Sequence, residues 1–312
     1  MEKIKVGASS CLLGEKVRYD GGHKLDPFVA RTLEKYFEYV AVCPEVEYGL
    51  SIPREPMHLA GDVDASKLVA TRTGIDHTEG MLRWAAQKVK LLEQEGLAGF
   101  IFKSRSPSSG MHGVKVYPEE GPPVKKGVGL FARTFMTHFP LIPVEDENRL
   151  NDARIRENFI ERIFVYHRWQ EFRRKGAAGN LAEFHTDHKL TILSHSPRHY
   201  SRLGKLIAGG RDREDLHAAY IAVLMDGMKL TATVKKNRNV LYRIMGYFKK
   251  RLSADEKQEL MEAIERYHSG LVPLIVPVTL LKHYVRRYDE PSLWRQHYLN
   301  PHPAELMLRS HV

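Results

Sequence analysis

Three short apolar runs, far apart in the chain, constrain its fold more than any other feature. Residues 4–8 lead into Ser9-Ser10-Cys11, residues 39–43 end at Cys43-Pro44, and residues 97–102 lead into Lys103-Ser104. Runs this short, with little polar alternation, are what strands buried on both faces look like. Helix signals lie between them. Asp26-Pro27 offers a cap and a first-turn proline for a helix over 26–36. Residues 76–94 place Met81, Trp84, Ala85, Val89 and Leu92 on one face, and Gly96 ends the pattern. Residues 53–73 read as irregular, with a hairpin strand over 67–71. Residues 127–138 read as helix and 141–144 as a last short strand. This alternation predicts an open parallel α/β sheet, Rossmann-like, over residues 1–150. In such sheets ligands bind beyond the carboxyl ends of the strands. Cys11, the Cys43-Pro44-Glu45 tripeptide and the Ser104-to-Ser109 segment each follow a strand, so they are expected to converge on one edge.

From residue 151 the pattern becomes helical, with helices expected near 152–175, 180–195, 197–209, 212–232, 237–252 and 254–268. A Pro-rich segment over 272–303 closes an all-α C-terminal domain. Charge divides at the same place. Residues 1–150 hold 20 basic and 20 acidic residues; residues 151–312 hold 28 and 18, and 11 of the 16 histidines. The whole excess of +10 therefore lies in the second domain, which suggests a polyanionic partner, nucleic acid being the commonest. A solvated surface is the plainer alternative. The runs Arg173-Arg174-Lys175, Lys235-Lys236-Asn237-Arg238 and Lys249-Lys250-Arg251 are the candidate phosphate contacts. Tyr242, Tyr247 and Phe248 fall at helical spacing and read as core. His185 and His188, with His195 two turns further on, lack the spacing of a zinc site and read as surface groups or as hydrogen-bonding groups between helices.

Several classes are set aside on composition. No run reaches the roughly 20 apolar residues of a membrane span; the best, over 270–281, contains Pro273 and Pro277. Two cysteines make no disulfide framework. With no apolar signal core at the start of the sequence, a reducing cytoplasm is the expected location.

Five local motifs then agree in order with one family. They are Ser9-Ser10-Cys11-Leu12-Leu13-Gly14, Val17-Arg18-Tyr19-Asp20-Gly21-Gly22-His23, Cys43-Pro44-Glu45, Gly49-Leu50 followed by Pro53-Arg54, and Lys103-Ser104-Arg105-Ser106-Pro107-Ser108-Ser109-Gly110. Residues 1–150 resemble the thiouracil desulfurase family. Residues 151–312 resemble the YbgA-like helical domain, through Leu150-Asn151-Asp152, Phe184-His185, His188-Lys189-Leu190, Asn239-Val240-Leu241, Gly246-Tyr247-Phe248 and the 272–277 segment.

The resemblance implies a 4Fe-4S cluster held by three cysteines, at Cys11, at Cys43 and at the position of Ser109. It implies a non-redox desulfidase that removes sulfur from a thiolated pyrimidine, 4-thiouridine of tRNA being the substrate, with the helical domain helping to bind RNA. Glu45 would activate water, and Ser104 would donate or relay a proton. Lys103, Arg54 and Asp20 would lie against the substrate. The chain departs from the pattern at Ser109, a harder and less acidic donor than a thiol. Three readings stay open: an active desulfidase with a weakened cluster, a cluster-deficient RNA-binding relative, and a desulfurase of free thiouracil whose helical domain serves assembly.

Overall fold

The three apolar runs pair as parallel strands in the computed structural model, which describes residues 3–176, 180–209 and 214–310. Numbered along the chain, β1 (Ile4–Ser9), β2 (Phe37–Val42), β5 (Phe100–Phe102) and β8 (Val144–Asp146) form one sheet in the order β2-β1-β5-β8. Every pairing in it is parallel. The first connection leads from β1 to one side and the next strand returns to the other. The strand order therefore reverses between β1 and β5, and a crevice opens there. Gly7 permits the close approach of these two strands: a Cβ at that position would lie 2.2 Å from the ring of Phe100. Phe100 in turn packs on Phe102 and Phe135, with centroids 4.3 and 4.7 Å away.

The expected boundaries move for physical reasons. The last strand is Val144–Asp146 rather than 141–144, because Pro143 has no amide to give a ladder. The 26–36 helix is a π-type turn, Phe28–Thr32, followed by a 3-10 turn, Leu33–Lys35. The segment is too short for helix propagation to outweigh nucleation, and it carries β-branched Val29 and Thr32. Helix α1 (Pro44–Glu47) is a single turn, and α2 (Thr78–Glu93) is the long amphipathic helix expected. Helix α3 (Leu130–His138) begins later than residue 127, because the residues before it belong to a strand.

That strand is part of a second sheet, which pattern reading placed at a single hairpin strand. β3 (Met57–Ala60), β4 (Lys67–Ala70), β6 (Val114–Tyr117) and β7 (Val124–Gly127) lie in the order β4-β3-β6-β7. β3 and β6 run parallel; the outer pairs are antiparallel. Leu59, Leu68, Val114 and Val116 bury one face of it with Met81 of α2 and Leu130 of α3.

Residues fall into two units, Met1–Asn151 and Asp152–Val312. The second is helical: α4 (Ala153–Arg174), α5 (Leu181–His195), α6 (Pro197–Gly209), α7 (Glu214–Met228), α8 (Val234–Met245), α9 (Ala254–His268), α10 (Ile275–Arg287) and α11 (Pro291–Trp294). The expected start of α7 at 212–213 lies outside the described residues. Asp152, Asn180 and Thr233 cap α4, α5 and α8 through their side chains, and Ser253 with Glu256 forms a full capping box on α9. Helix α8 starts at its Thr233 cap rather than at 237, and gives way to a 3-10 turn at Gly246. Helix α10 was hidden in the Pro-rich segment. Pro277 sits in its first turn, where an amide has no partner within the helix to lose. Among the described residues, no helix is long and apolar enough to cross a membrane.

Candidate functional site

Each parallel strand delivers one polar segment to the carboxyl edge of the first sheet. After β1 the chain makes a 3-10 turn, Ser10–Leu13, which buries Cys11 and ends at Gly14 in the left-handed region (φ 98°). After β2, Cys43 sits at the head of α1, its amide donating to Glu47 Oε1 at 3.0 Å. After β5, Lys103 to Ser109 forms a serine-rich loop. These segments line one cavity of about 410 Å³ with Cys11, Cys43, Glu45, Ser104 and Ser109 on its walls.

The two serines of the loop are put to different uses. Ser108 Oγ donates to Glu45 Oε1 at 2.9 Å. The Ser109 side chain is buried and makes no hydrogen bond among the described residues. The loop is clamped against α3: the amides of Phe131 and Ala132 donate to the carbonyl of Ser108 at 3.0 and 3.2 Å. Gly129 allows this contact, since a Cβ there would lie 2.5 Å from the Ser108 carbonyl.

Glu45 is held on both oxygens. Arg54 Nε donates to Oε2 at 3.0 Å and a second guanidinium nitrogen reinforces it, while Ser108 holds Oε1. Arg54 also donates to the carbonyls of Val17 and Ser51, at 2.9 and 3.3 Å, so its guanidinium is taken up in fixing Glu45. Ser104 is more fully engaged still. Its hydroxyl donates to Glu147 Oε1 at 2.7 Å and accepts from Asn148 Nδ2 at 2.8 Å and Lys103 Nζ at 3.0 Å. A hydroxyl has one hydrogen and two lone pairs, and all three are in use. Lys103 also pairs with Glu147, whose second oxygen accepts the Ser104 amide at 2.8 Å. Asp20, expected near the substrate, is not on the cavity wall. It binds Arg18 at 3.2–3.3 Å and the Gly22 amide at 3.0 Å, and this hydrogen bonding to Arg18 holds its carboxyl below the usual range. Arg18 itself reaches the cavity.

Glu147 and Asn148 were missed in the sequence because residues 145–150 read as the exit from the domain. The rule that located Cys11 applies to them as well, since they directly follow the fourth parallel strand.

Burial pushes the Cys11 thiol up to about 11, against the pull of Lys103, and it raises the Cys43 thiol too. Both are therefore neutral thiols until a cation takes the place of the proton. Cys43 Sγ meets the Val17 carbonyl at 3.8 Å, and backbone hydrogen bonds from Val46 and Glu45 partly offset the effect of burial. By donor chemistry Cys11, Cys43 and Ser109 could hold an iron-sulfur cluster, as two soft donors and one hard one lining the same cavity.

The first unit matches the family model described as 2-thiouracil desulfurase, over residues 6–147. The uncharacterized protein YbbK of Bacillus subtilis (strain 168) is 32% identical over 107 residues, covering 33% of this chain and 70% of that protein. The chain belongs to the 2-thiouracil desulfurase family. Behind the desulfurase unit, residues 189–303 match the model of a protein of unknown function, DUF1722. The uncharacterized protein YbgA of Escherichia coli (strain K12) is 29% identical over 164 residues, 51% of this chain and 97% of that protein. Among solved structures, the [4Fe-4S]-dependent thiouracil desulfidase TudS is 33% identical, covering 49% of this chain and 95% of that one, with a TM-score of 0.38.

In the helical unit the histidines bond between and within helices. His195 Nε2 meets Glu161 at 3.0 Å, His185 Nδ1 meets the Tyr220 hydroxyl at 3.1 Å, and His188 Nδ1 meets the Phe184 carbonyl at 2.8 Å. Many of the basic-run residues are also committed within the unit. Lys236 donates to the His195 carbonyl at 2.6 Å, Arg238 to Glu265 at 2.8 Å and Arg251 to the Tyr288 carbonyl at 2.6 Å. Phe248 is fully buried, as its spacing implied.

Proposed function

We propose that this chain is a non-redox desulfidase of a thiolated pyrimidine, with 4-thiouridine in tRNA as its substrate. The observation that carries this reading is the meeting of two thiols, one uncommitted hydroxyl and one fixed carboxylate in a single cavity at the carboxyl edge of the sheet. The match of residues 6–147 to the 2-thiouracil desulfurase family supports the same chemistry. The basic excess of the second domain favours a polynucleotide over a free base.

Cys11, Cys43 and Ser109 would hold the cluster. When bound, it supplies a soft Lewis acid suited to a thiocarbonyl sulfur. The protein does the rest. Glu45, kept in place by Arg54 and Ser108, has lone pairs left to take a proton from water. Water attacks the thiocarbonyl carbon, a C–O bond forms and the C–S bond breaks. Both protons of the water leave with the sulfur as hydrogen sulfide, and no electrons change hands. Ser104 can give its proton to the ring only by leaving Glu147, and Lys103 beside it can refill the hydroxyl. Lys103, Ser104 and Glu147 thus form a short proton relay.

The test is Glu45→Gln, which keeps the hydrogen bonds to Arg54 and Ser108 in part but removes the base. Sulfide release from 4-thiouridine tRNA is expected to fall about 10²–10⁴-fold, with the iron content of the reconstituted protein unchanged. Loss of iron together with activity would contradict the role given to Glu45.

A further inference from the structure

The second sheet turns one face to its core and the other outward. Along β6, buried Val114 and Val116 alternate with exposed Lys115 and Tyr117, and on β7 Lys125 is exposed. The ladder sets Lys115 directly opposite Lys125. Like charges in that position repel and weaken a sheet unless an acid sits between them. None does: among the described residues the side chains of Lys115, Lys125 and Arg105 make no hydrogen bond or ion pair. Other polar groups on this wall have partners. Arg149 Nε donates to Glu145 at 2.7 Å, and His112 meets Asp146 at 2.9 Å.

These uncompensated cations line a cavity of about 580 Å³. It shares Met57, Ser104, Arg105, Pro107 and Asn148 with the cavity that holds Cys11, Cys43 and Glu45. Arg105 stands on the shared wall with φ at 60°, a backbone conformation uncommon for a residue other than glycine. Such conformations cluster where ligands are held.

We propose that this face of the second sheet is a phosphodiester subsite. It holds the backbone next to the nucleotide whose base enters the catalytic cavity. The α/β unit itself then favours a base carried in a polynucleotide over a free base. A phosphate between Lys115 and Lys125 turns one repulsion into two attractions. Tyr117, exposed on the same face, offers a ring for a neighbouring base to stack on. Such contacts position the strand without reading its sequence. The identity of the base rests on the desulfidase reading; the phosphate contact does not.

The experiment compares the full chain with its Lys115→Gln/Lys125→Gln variant. The probe is a short single-stranded RNA with one 4-thiouridine, its binding followed by fluorescence anisotropy between about 50 and about 200 mM salt. The slope of log K against log salt is expected to shrink by about 0.7 for each lysine removed. The ratio of kcat/KM on this RNA to kcat/KM on free 4-thiouracil is expected to fall about tenfold. An unchanged slope overturns the proposal, and so does an unchanged ratio. The variant loses a repulsion, so its thermal midpoint should be equal or higher; a lower midpoint would mean that the lysines serve the fold instead. If the wild type turns over neither compound, the desulfidase reading fails, and the salt slope still decides the subsite.

Discussion

Ser108 and Ser109 are neighbours with the same hydroxyl and both line the cavity with two thiols, yet only Ser108 is bound to a carboxylate. That difference assigns the departure from the family pattern to a single donor atom. An oxygen donor is harder than sulfur and binds iron of a cluster less well. Anaerobic reconstitution of the wild type should therefore load iron and acid-labile sulfide, and a chelator should strip them faster than from Ser109→Cys. Equal stripping rates would mean that residue 109 does not touch the cluster. The thiols add a pH dependence. Burial raises both, Cys11 to about 11, so each thiol releases a proton when iron takes its place. Apparent iron affinity should climb with pH between neutrality and the raised thiol range, by up to about tenfold per pH unit for each thiol. Iron uptake titrated at several pH values measures this, and a flat profile would place the ligands elsewhere. The motif alone singled out residue 109, but it could not show that Ser108, equally placed in the sequence, is already spoken for by Glu45.

At the scale of elements, helices α4 and α5 are joined by a buried Glu161–His195 pair. Glu161 meets His195 Nε2 at 3.0 Å, and His195 Nδ1 meets the Leu230 carbonyl at 2.7 Å, which can only accept. Arg309 approaches the other Glu161 oxygen at 3.5 Å. Burial alone would raise the Glu161 carboxyl; His195 and Arg309 outweigh it and hold the group at about 2. A lowered folded value gives stability that is present above the ordinary carboxyl range near 4.5 and is lost as pH falls toward 2. Glu157 works in the opposite sense. Burial lifts it to about 7, so its contribution is full below 4.5 and fades as pH rises through 7. Thermal unfolding of Glu161→Gln should show a flatter pH profile between about 4.5 and about 2 than the wild type. At neutral pH the variant should lose about 3–5 kcal/mol, because removing one partner of a buried network leaves the other without its compensation. A wild-type profile in the variant would show that the pair contributes nothing. These helices were legible from their caps, but the pair itself was not. His195 was read as a surface or interhelix hydrogen-bonding group without a named partner, since Glu161 lies 34 positions away. The second sheet was illegible for a related reason. Val114–Tyr117 does alternate with a period of two, but four residues are too few to distinguish a strand without its partners.

Across the whole molecule the chain combines a charge-neutral α/β unit with a helical unit that carries the entire net charge of +10. Binding of tRNA should therefore weaken steeply with salt, and residues 1–151 alone should show a smaller slope of log K against log salt than the full chain. Equal slopes would place the phosphate contacts on the α/β unit alone. The sequence by itself determined the fold class, the three strand-end segments, the family and the helical character of the second half. These follow from local signals: short apolar runs, caps, helical periodicity and contiguous motifs, each readable within about twenty residues. The tertiary structure decided what long-range pairing decides. It brought Glu147 and Asn148 onto Ser104, tied Arg54 to Glu45 and moved Asp20 off the cavity wall. It also set Lys115 opposite Lys125 with no acid between them. Strand register and cavity walls join residues dozens of positions apart, and no local pattern encodes which distant side chain will meet a given one.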